Sequence, residues 1–183
     1  MALERLAAEP APLVALLACL AGDPALGPAE ARALDRRLVP LYQAIGQPAQ
    51  AWEPAARVVA SAPGDGAARD ALIGLAEVLG RPRELVAILG DALAALRQAQ
   101  APAVEVHAMA VDLARRVAAD PATAGGAEKA WMTVLGLDAT DAEAYAALAT
   151  LYRGASRWDD LRALLEQRVA VAVAADVKLA ALT

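Results

Sequence analysis

Residues 138–169, DATDAEAYAALATLYRGASRWDDLRALLEQRV, carry two apolar stripes at helical spacing, with a short turn at residues 154–156 between them. The first stripe begins after Asp141, which is a suitable N-cap, and consists of Tyr145, Leu148, Ala149 and Tyr152 at i, i+3, i+4 and i+7. The second stripe consists of Trp158, Leu161, Leu164, Leu165 and Val169. This pattern predicts a helical hairpin with two apolar faces, and a single hairpin cannot cover both of them.

The same pattern recurs along the chain. Aligning Leu148 with Leu72 brings a second copy into register, and aligning Leu72 with Leu38 brings in a third. The equivalent second-helix positions are Ala51, Leu85, Ala127 and Leu161, and insertions lengthen the middle interval. The first and last intervals share a period of about 34 residues with two helices per unit, which is the sequence signature of tetratricopeptide repeats.

The chain therefore resembles a run of tetratricopeptide repeats (TPRs) over about residues 32–175. The family pattern has a bulky residue, Leu, a small residue and Tyr in the first helix, then small, aromatic and small residues in the second. The last full repeat departs from it by carrying Leu161 and Leu165 where the family prefers Ala and an aromatic residue. The resemblance implies an all-α fold, a right-handed superhelix of stacked antiparallel helix hairpins, with repeats at residues 32–65, 66–102, 103–141 and 142–175.

The two ends of the chain are expected to continue this organisation. Residues 1–31 are predicted to form a degenerate N-terminal repeat or capping helices. Residues 176–183 are predicted to begin a further, truncated repeat, because Leu179 and Leu182 match Tyr145 and Leu148 when the chain is shifted by one repeat. Since a solenoid normally ends in a helix with a polar outer face, we expect a longer array or an end covered by another chain.

Proline and glycine predict the helix boundaries. Helices are expected to begin at Pro28 and Pro48, to break at Gly80, and to be separated by a long loop at residues 120–126. Pro40 is expected to kink or end the helix in which it lies. The positions predicted to be buried are Leu38, Tyr42, Leu72, Leu85, Leu89, Met109, Trp131, Leu148, Tyr152 and Leu165.

Composition argues against catalysis, metal binding and nucleic acid as a partner. The net charge of −5 opposes phosphate binding, which needs a clustered basic surface. There is one histidine, His107, no phosphate-binding loop or dinucleotide fingerprint, and His107 with Cys19 falls well short of a structural zinc site. The sequence therefore predicts a protein that is not an enzyme and holds no metal or cofactor. The lack of Phe and Asn and the scarcity of Lys indicate GC-rich coding, and we expect a bacterial source.

Residues 12–21 form an apolar run that superficially resembles a lipoprotein signal ending at Cys19. Glu4 and Glu9 lie where a signal peptide needs a positive leader, and the run is too short to span a bilayer. We therefore favour a degenerate helix over a lipid anchor, with Cys19 as a small buried side chain. A cytoplasmic location without membrane insertion follows from this interpretation.

The resemblance implies that the first helix of each hairpin lines an inner groove. The predicted partner-binding residues there are Arg36, Gln43, Asp70, Glu77, His107, Val111, Glu143, Thr150 and Arg153. This mixed set lacks the Lys and Asn with which chaperone-tail binders of the family clamp a terminal carboxylate. We expect instead a segment with both charges and a modest apolar anchor, with affinity that changes between about pH 6 and 7 as His107 titrates. The alternative is that these residues form ordinary solvated helix faces.

Two functions are compatible with the sequence. The first is a protein-interaction scaffold that binds a peptide or protein segment in its concave groove. The second is a structural or self-assembling segment of a larger repeat protein, which packs through its ends or outer face against repeats of the same or another chain.

Overall fold

The computed structural model describes residues 10–21, 23, 25–121 and 123–180, and within them it contains α-helices, one 3₁₀ turn and no strand. The helices form two compact units, of which the first ends at Ala99 and the second begins at Gln100. The all-α fold predicted from the sequence is confirmed.

The described part of the first unit contains the helices α1 (Pro10–Ala21), α2 (Pro28–Ala44), α3 (Pro48–Ser61), α4 (Gly66–Leu79) and α5 (Pro82–Gln98). α1 packs on α2, α2 on α3, and α3 on both α4 and α5. The large side chains buried most deeply between them are Leu38, Val58, Val59, Leu72, Leu75, Leu85 and Leu89. Helices that follow one another in the chain are therefore neighbours, as stacked hairpins require.

Local sequence signals set the boundaries of these helices. A proline occupies the start of α2, α3 and α5, where its fixed φ suits a helix and its missing N–H is not needed. The Asp65 side chain caps α4 by accepting a hydrogen bond from Ala68 N at 3.1 Å. Gly80 ends α4 with a φ of 64°, a left-handed conformation that glycine adopts without steric cost. The predicted starts at Pro28 and Pro48 and the break at Gly80 are confirmed.

Pro40 lies inside α2, and the helix continues past it to Ala44. Of the two outcomes expected for Pro40, an early end of the helix is therefore not observed. Proline has no N–H group, so the carbonyl of Arg36 receives no backbone hydrogen bond from residue 40. Pro40 is exposed, so this turn of the helix has one side toward solvent.

The described part of the second unit contains the helices α6 (Ala103–Ala119), α7 (Ala127–Leu137), α8 (Ala142–Gly154) and α9 (Trp158–Ala180), with a 3₁₀ turn at Ala124–Gly126. α6 packs on α7, α7 on α8, and α8 on α9. Its core contains Met109, Trp131, Val134, Tyr145, Leu148 and Tyr152. Asp141 caps α8 by accepting a hydrogen bond from Ala144 N at 2.7 Å, as its sequence position predicts.

Nine of the ten positions predicted to be buried are buried, and Leu165 is not. Leu165 is 42% exposed, whereas Leu161 and Leu164 of the same helix are buried. The prediction for Leu165 is wrong because α9 packs on α8 along its Leu161 and Leu164 side, and the side that carries Leu165 has no helix of the described chain on it.

Cys19 is exposed, so the prediction that it is buried is also wrong. The side chains that α1 buries are Val14 and Leu17, and Cys19, two residues after Leu17, points away from that side. None of the helices in the described residues combines the length and the apolar character needed to cross a bilayer. Residues 1–9, including Glu4 and Glu9, lie outside the described part of the chain.

α9 is one continuous helix from Trp158 to Ala180. The prediction that a new helix starts at Asp176 is therefore wrong. No proline or glycine interrupts the Ala-rich segment 170–180, so nothing in the local sequence stops the helix begun at Trp158. Leu182 lies outside the described residues, and the predicted repeat boundaries stay predictions.

Candidate functional site

The first unit contains a cavity of about 290 Å³ between α2 and α4, with residues of α3 at its floor. It is lined by Arg36, Val39, Pro40, Gln43, Ala55, Val58, Asp65, Ala67, Ala68 and Ala71. Two of the predicted groove residues, Arg36 and Gln43, thus lie together at one concave surface, called here the α2–α4 cavity. Asp70 and Glu77, the predicted groove residues of α4, are exposed and do not line it.

An ion pair forms the charged side of the α2–α4 cavity. Arg36 Nη2 lies 2.5 Å from Asp65 Oδ2, while Asp65 Oδ1 accepts the capping hydrogen bond from Ala68 N. Asp65 therefore holds Arg36 and the first turn of α4 at the same time. The Arg36 side chain is half-exposed, so it stays accessible to a ligand from solvent.

The rest of the cavity is apolar and owes its room to small side chains. Val39 and Pro40 of α2 face Ala67, Ala68 and Ala71 of α4 across it. Because alanine presents only a methyl group, a longer residue at any of these α4 positions would fill part of the space. The geometry is that of an apolar slot with a mixed charge at one side.

In the second unit two predicted groove residues, Glu143 and His107, make contacts between α6 and α8 or its N-cap. Glu143 of α8 accepts two hydrogen bonds from Arg115 of α6, at 2.7 Å from Nε and 2.6 Å from Nη2. This contact lowers the pKa of Glu143 and raises the pKa of Arg115. His107 Nε2 of α6 lies 2.9 Å from Asp141 Oδ2, outside hydrogen-bond geometry, so the contact is an ion pair only when the imidazole is protonated.

The other predicted residues of this unit differ in accessibility. Val111 is buried in the core, so the structure does not present it to a partner. Thr150 and Arg153 of α8 are exposed, and the Thr150 hydroxyl donates a hydrogen bond to the Ala146 carbonyl at 2.9 Å. None of these residues lines the open surface on the last helix of this unit, Trp158–Ala180.

A cluster of side chains around Glu128 was not predicted from the sequence. Its carboxylate accepts hydrogen bonds from the Tyr152 hydroxyl at 3.0 Å and from Arg157 Nη1 at 2.6 Å. The Arg157 guanidinium also lies over the Tyr152 ring, 4.7 Å from its centroid. The hydrogen bond from Arg157, followed by that from Tyr152, lowers the pKa of Glu128, and burial with the bond to Glu128 raises the pKa of Tyr152. The cluster joins α7 to the α8–α9 hairpin, and only its Arg157–Asp160 contact at i, i+3 has a local sequence signal.

The second candidate surface is an apolar stripe on α9, formed by Trp158, Leu161, Leu165, Val169 and Val173 and called here the α9 stripe. Four of these side chains are well exposed, and only Leu161 is buried. Arg162 and Glu166 lie beside the stripe, and together with it they line an open concavity with a volume of about 590 Å³. An exposed apolar surface of this kind in a polar surround is typical of a protein-interaction site.

Ser61 and His107, two side chains of the kind used in catalysis, each contact another group of the chain. The Ser61 hydroxyl donates to the Arg57 carbonyl at 2.8 Å, and His107 contacts a carboxylate rather than a hydroxyl or thiol. Within the described residues, no group of three or more His, Cys, Asp or Glu side chains is placed to hold a metal ion.

A comparison with solved structures supports the repeat architecture. The fold is similar to that of a Podosopora anserina protein, whose crystal structure is described as a kinesin light chain with nearly identical TPR-like repeats. This chain has a TPR-like fold. The TM-score is 0.52 at 20% sequence identity, with 94% of this chain and 92% of the other chain covered. No protein-family model and no curated protein sequence matches this chain.

Proposed function

We propose that this chain is a non-catalytic protein-interaction scaffold that binds a peptide or protein segment at the α2–α4 cavity. Proteins with TPR-like folds generally mediate protein interactions, which supports the broad role. The observation that carries the specific site is an apolar cavity between two first helices, with Arg36 and Gln43 at its edge.

The cavity dimensions indicate the size of the anchor. Its volume of about 290 Å³ lies at the lower limit of small-molecule pockets, which hold roughly 300–1,000 Å³. It therefore suits an aliphatic side chain of a longer ligand, whose burial stabilises a complex by roughly 1.5–3 kcal/mol. An acidic ligand group beside the anchor would meet Arg36, and a basic group would meet Asp65.

A cavity-filling substitution tests this proposal. Peptides selected from a random displayed library on the full chain would be measured by fluorescence polarisation against Ala71→Leu, which fills the slot from α4. We expect the selected peptides to bind this variant at least tenfold more weakly. Ala33→Leu, on an exposed part of α2 outside the cavity, is the matched control. Equal binding to Ala71→Leu, in a variant with an unchanged thermal midpoint, would move the site away from the cavity.

The proposal includes a cytoplasmic location and a bacterial source, both of which rest on the sequence alone. Nucleic acid is disfavoured as the partner because the net charge is −5. A segment with both charges and one apolar anchor remains the expected ligand.

The second candidate function is a structural or self-assembling segment that packs through its ends or outer face. The α9 stripe favours it, because Trp158, Leu165, Val169 and Val173 expose apolar surface along one side of a helix. Size-exclusion chromatography with light scattering tests the self-assembling form of this function. An oligomer that grows with concentration favours packing of this surface on a second copy, and a monomer at all concentrations contradicts it.

A further inference from the structure

The repeat alignment identifies positions equivalent to Leu165 in the three preceding hairpins. The alignment that equates the second helices of the four hairpins places Leu165 on Trp131, Leu89 and Ala55. The exposures of these three residues are 3%, 0% and 1%, whereas Leu165 is 42% exposed. The position is therefore buried in every hairpin except the last described one.

Val169 shows the same contrast. Its equivalents in the same alignment are Leu135, Leu93 and Val59, with exposures of 5%, 6% and 0%. Val169 itself is 64% exposed. Leu165 and Val169 therefore lie on one face of α9 and are exposed, whereas the equivalent residues of the other three hairpins are buried.

Within each unit, the second helix of one hairpin packs on the first helix of the next hairpin. α3 is the second helix of its hairpin and packs on α4, the first helix of the next hairpin. α7 likewise packs on α8. The α9 stripe continues this established helix–helix interface, so its fitting occupant is an amphipathic helix with apolar residues at i, i+3, i+4 and i+7.

The charge beside the stripe specifies the occupant further. In α7, Glu128 accepts hydrogen bonds from Tyr152 near the end of the covering helix α8 and from Arg157. The repeat alignment places Arg162 of α9 at the position of Glu128, which reverses the charge. Arg162 lies 3.5 Å from Asp159 and 3.9 Å from Glu166 in exposed contacts that a partner carboxylate can replace. The covering helix should therefore carry an acidic residue where α8 carries Tyr152.

We propose that the α9 stripe binds an amphipathic helix of a partner protein that has the apolar pattern of α8 and an acidic residue near its C-terminal end. This inference rests on the second proposed function, packing through an end or outer face, and does not depend on the α2–α4 cavity. The partner is distinct from a second copy, because α8 itself carries Tyr152 at the position that has to be acidic.

Three stapled peptides test the inference with the full chain. Each has the sequence of residues 141–154 with a staple between positions 146 and 150, both on the exposed side of α8, since so short a helix is marginal alone. One keeps Tyr152, one has Tyr152→Glu and one has Tyr152→Arg. Binding is measured by calorimetry and by the change in tryptophan fluorescence, to which Trp158 in the stripe contributes.

We expect the Tyr152→Glu peptide to bind at least tenfold more tightly than the Tyr152→Arg peptide. Leu165→Glu with Val169→Glu in the protein should weaken its binding at least tenfold, and Arg162→Glu should reverse the preference between the two peptides. Val104→Glu is the matched control, because Val104 is exposed on α6 and does not line the surface at the α9 stripe. All four positions are exposed, so the variants should keep the wild-type circular dichroism.

The inference is overturned if none of the peptides binds at millimolar concentration, or if the Leu165→Glu, Val169→Glu protein binds as well as wild type. It also fails if Arg162→Glu leaves the preference unchanged. Self-association of the chain that the Leu165→Glu, Val169→Glu variant abolishes, without peptide binding, would assign the stripe to a second copy and leave the second proposed function standing. Absence of both peptide binding and self-association would remove that function together with the inference.

Discussion

Asp35 of α2 accepts two hydrogen bonds from the Arg57 guanidinium of α3, at 2.9 Å from Nε and 2.6 Å from Nη2. Asp35 is buried, with 4% of its surface exposed, whereas the Arg57 side chain is half-exposed. The contact raises the pKa of Arg57, mainly through its hydrogen bond to Asp35. This bidentate pair joins α2 to α3 with a defined geometry.

Removing the cation should be costly because it leaves the buried Asp35 carboxylate without its partner. We expect Arg57→Met to lower the free energy of unfolding by about 2–3 kcal/mol, below the full range for buried pairs since water can reach this site. Urea denaturation measures the change, with Arg83→Met at an exposed position as the control. A loss similar to that of the control would show that the pair contributes little.

The dual role of Asp65 allows a second prediction. Asp65→Ala removes both the cap of α4 and the carboxylate that holds Arg36, and should lower the free energy of unfolding by about 0.5–2 kcal/mol. Asp65→Asn keeps a capping oxygen, so it should retain most of the stability while freeing Arg36. The two variants are compared by thermal unfolding. Equal losses would contradict the capping role, because they would assign the whole effect to the ion pair.

The helical hairpins are predictable because their signals are local. Apolar residues recur at helical spacing, Pro28 and Pro48 start helices, Asp141 caps one and Gly80 ends one. Each of these signals acts within one or two turns of the chain, so a single sequence contains them.

Burial and pairing across helices are less predictable because they depend on distant neighbours. Leu165 has the same spacing signal as Leu148 but lies on the uncovered side of α9. Asp35 pairs with Arg57 across 22 residues and Glu128 with Arg157 across 29, and neither spacing is a local pattern. Of the predicted groove, Arg36 and Gln43 line a cavity, whereas His107 and Glu143 contact charged groups of the neighbouring helix or its cap.

The Glu128 cluster predicts a dependence of stability on acid. The hydrogen bond from Arg157 lowers the pKa of Glu128 in the folded chain. A group with a depressed folded pKa stabilises the fold above its unfolded pKa, about 4.3, and loses that contribution as the pH falls through the folded pKa. We therefore expect Glu128→Gln to lower the free energy of unfolding at neutral pH by less than about 1 kcal/mol, since the pair is exposed.

Urea denaturation over a series of pH values checks this sign. The difference between wild type and Glu128→Gln should be largest near pH 7 and should shrink below about pH 4. Asp70→Asn, at an exposed position of α4, controls for a general loss of negative charge. A difference that grows in acid would mean that Glu128 is stabilised in its protonated form, contrary to its contacts with Arg157 and Tyr152.

Adjacent leucines of α9 give the sharpest test of which side of this helix is covered in solution. Leu164 is 5% exposed and Leu165 is 42% exposed, and both lie in the same helix with the same change in propensity on substitution by alanine. We expect Leu164→Ala to lower the free energy of unfolding by about 2–5 kcal/mol, the range for buried leucine, and Leu165→Ala by less than about 1 kcal/mol. Leu148→Ala, at a fully buried position of α8, should match Leu164→Ala.

The measurement is urea denaturation at low and high protein concentration. A loss for Leu165→Ala as large as that for Leu164→Ala at low concentration would show that the α9 stripe is covered within a single chain. A loss that appears only at high concentration would show that a second copy covers it.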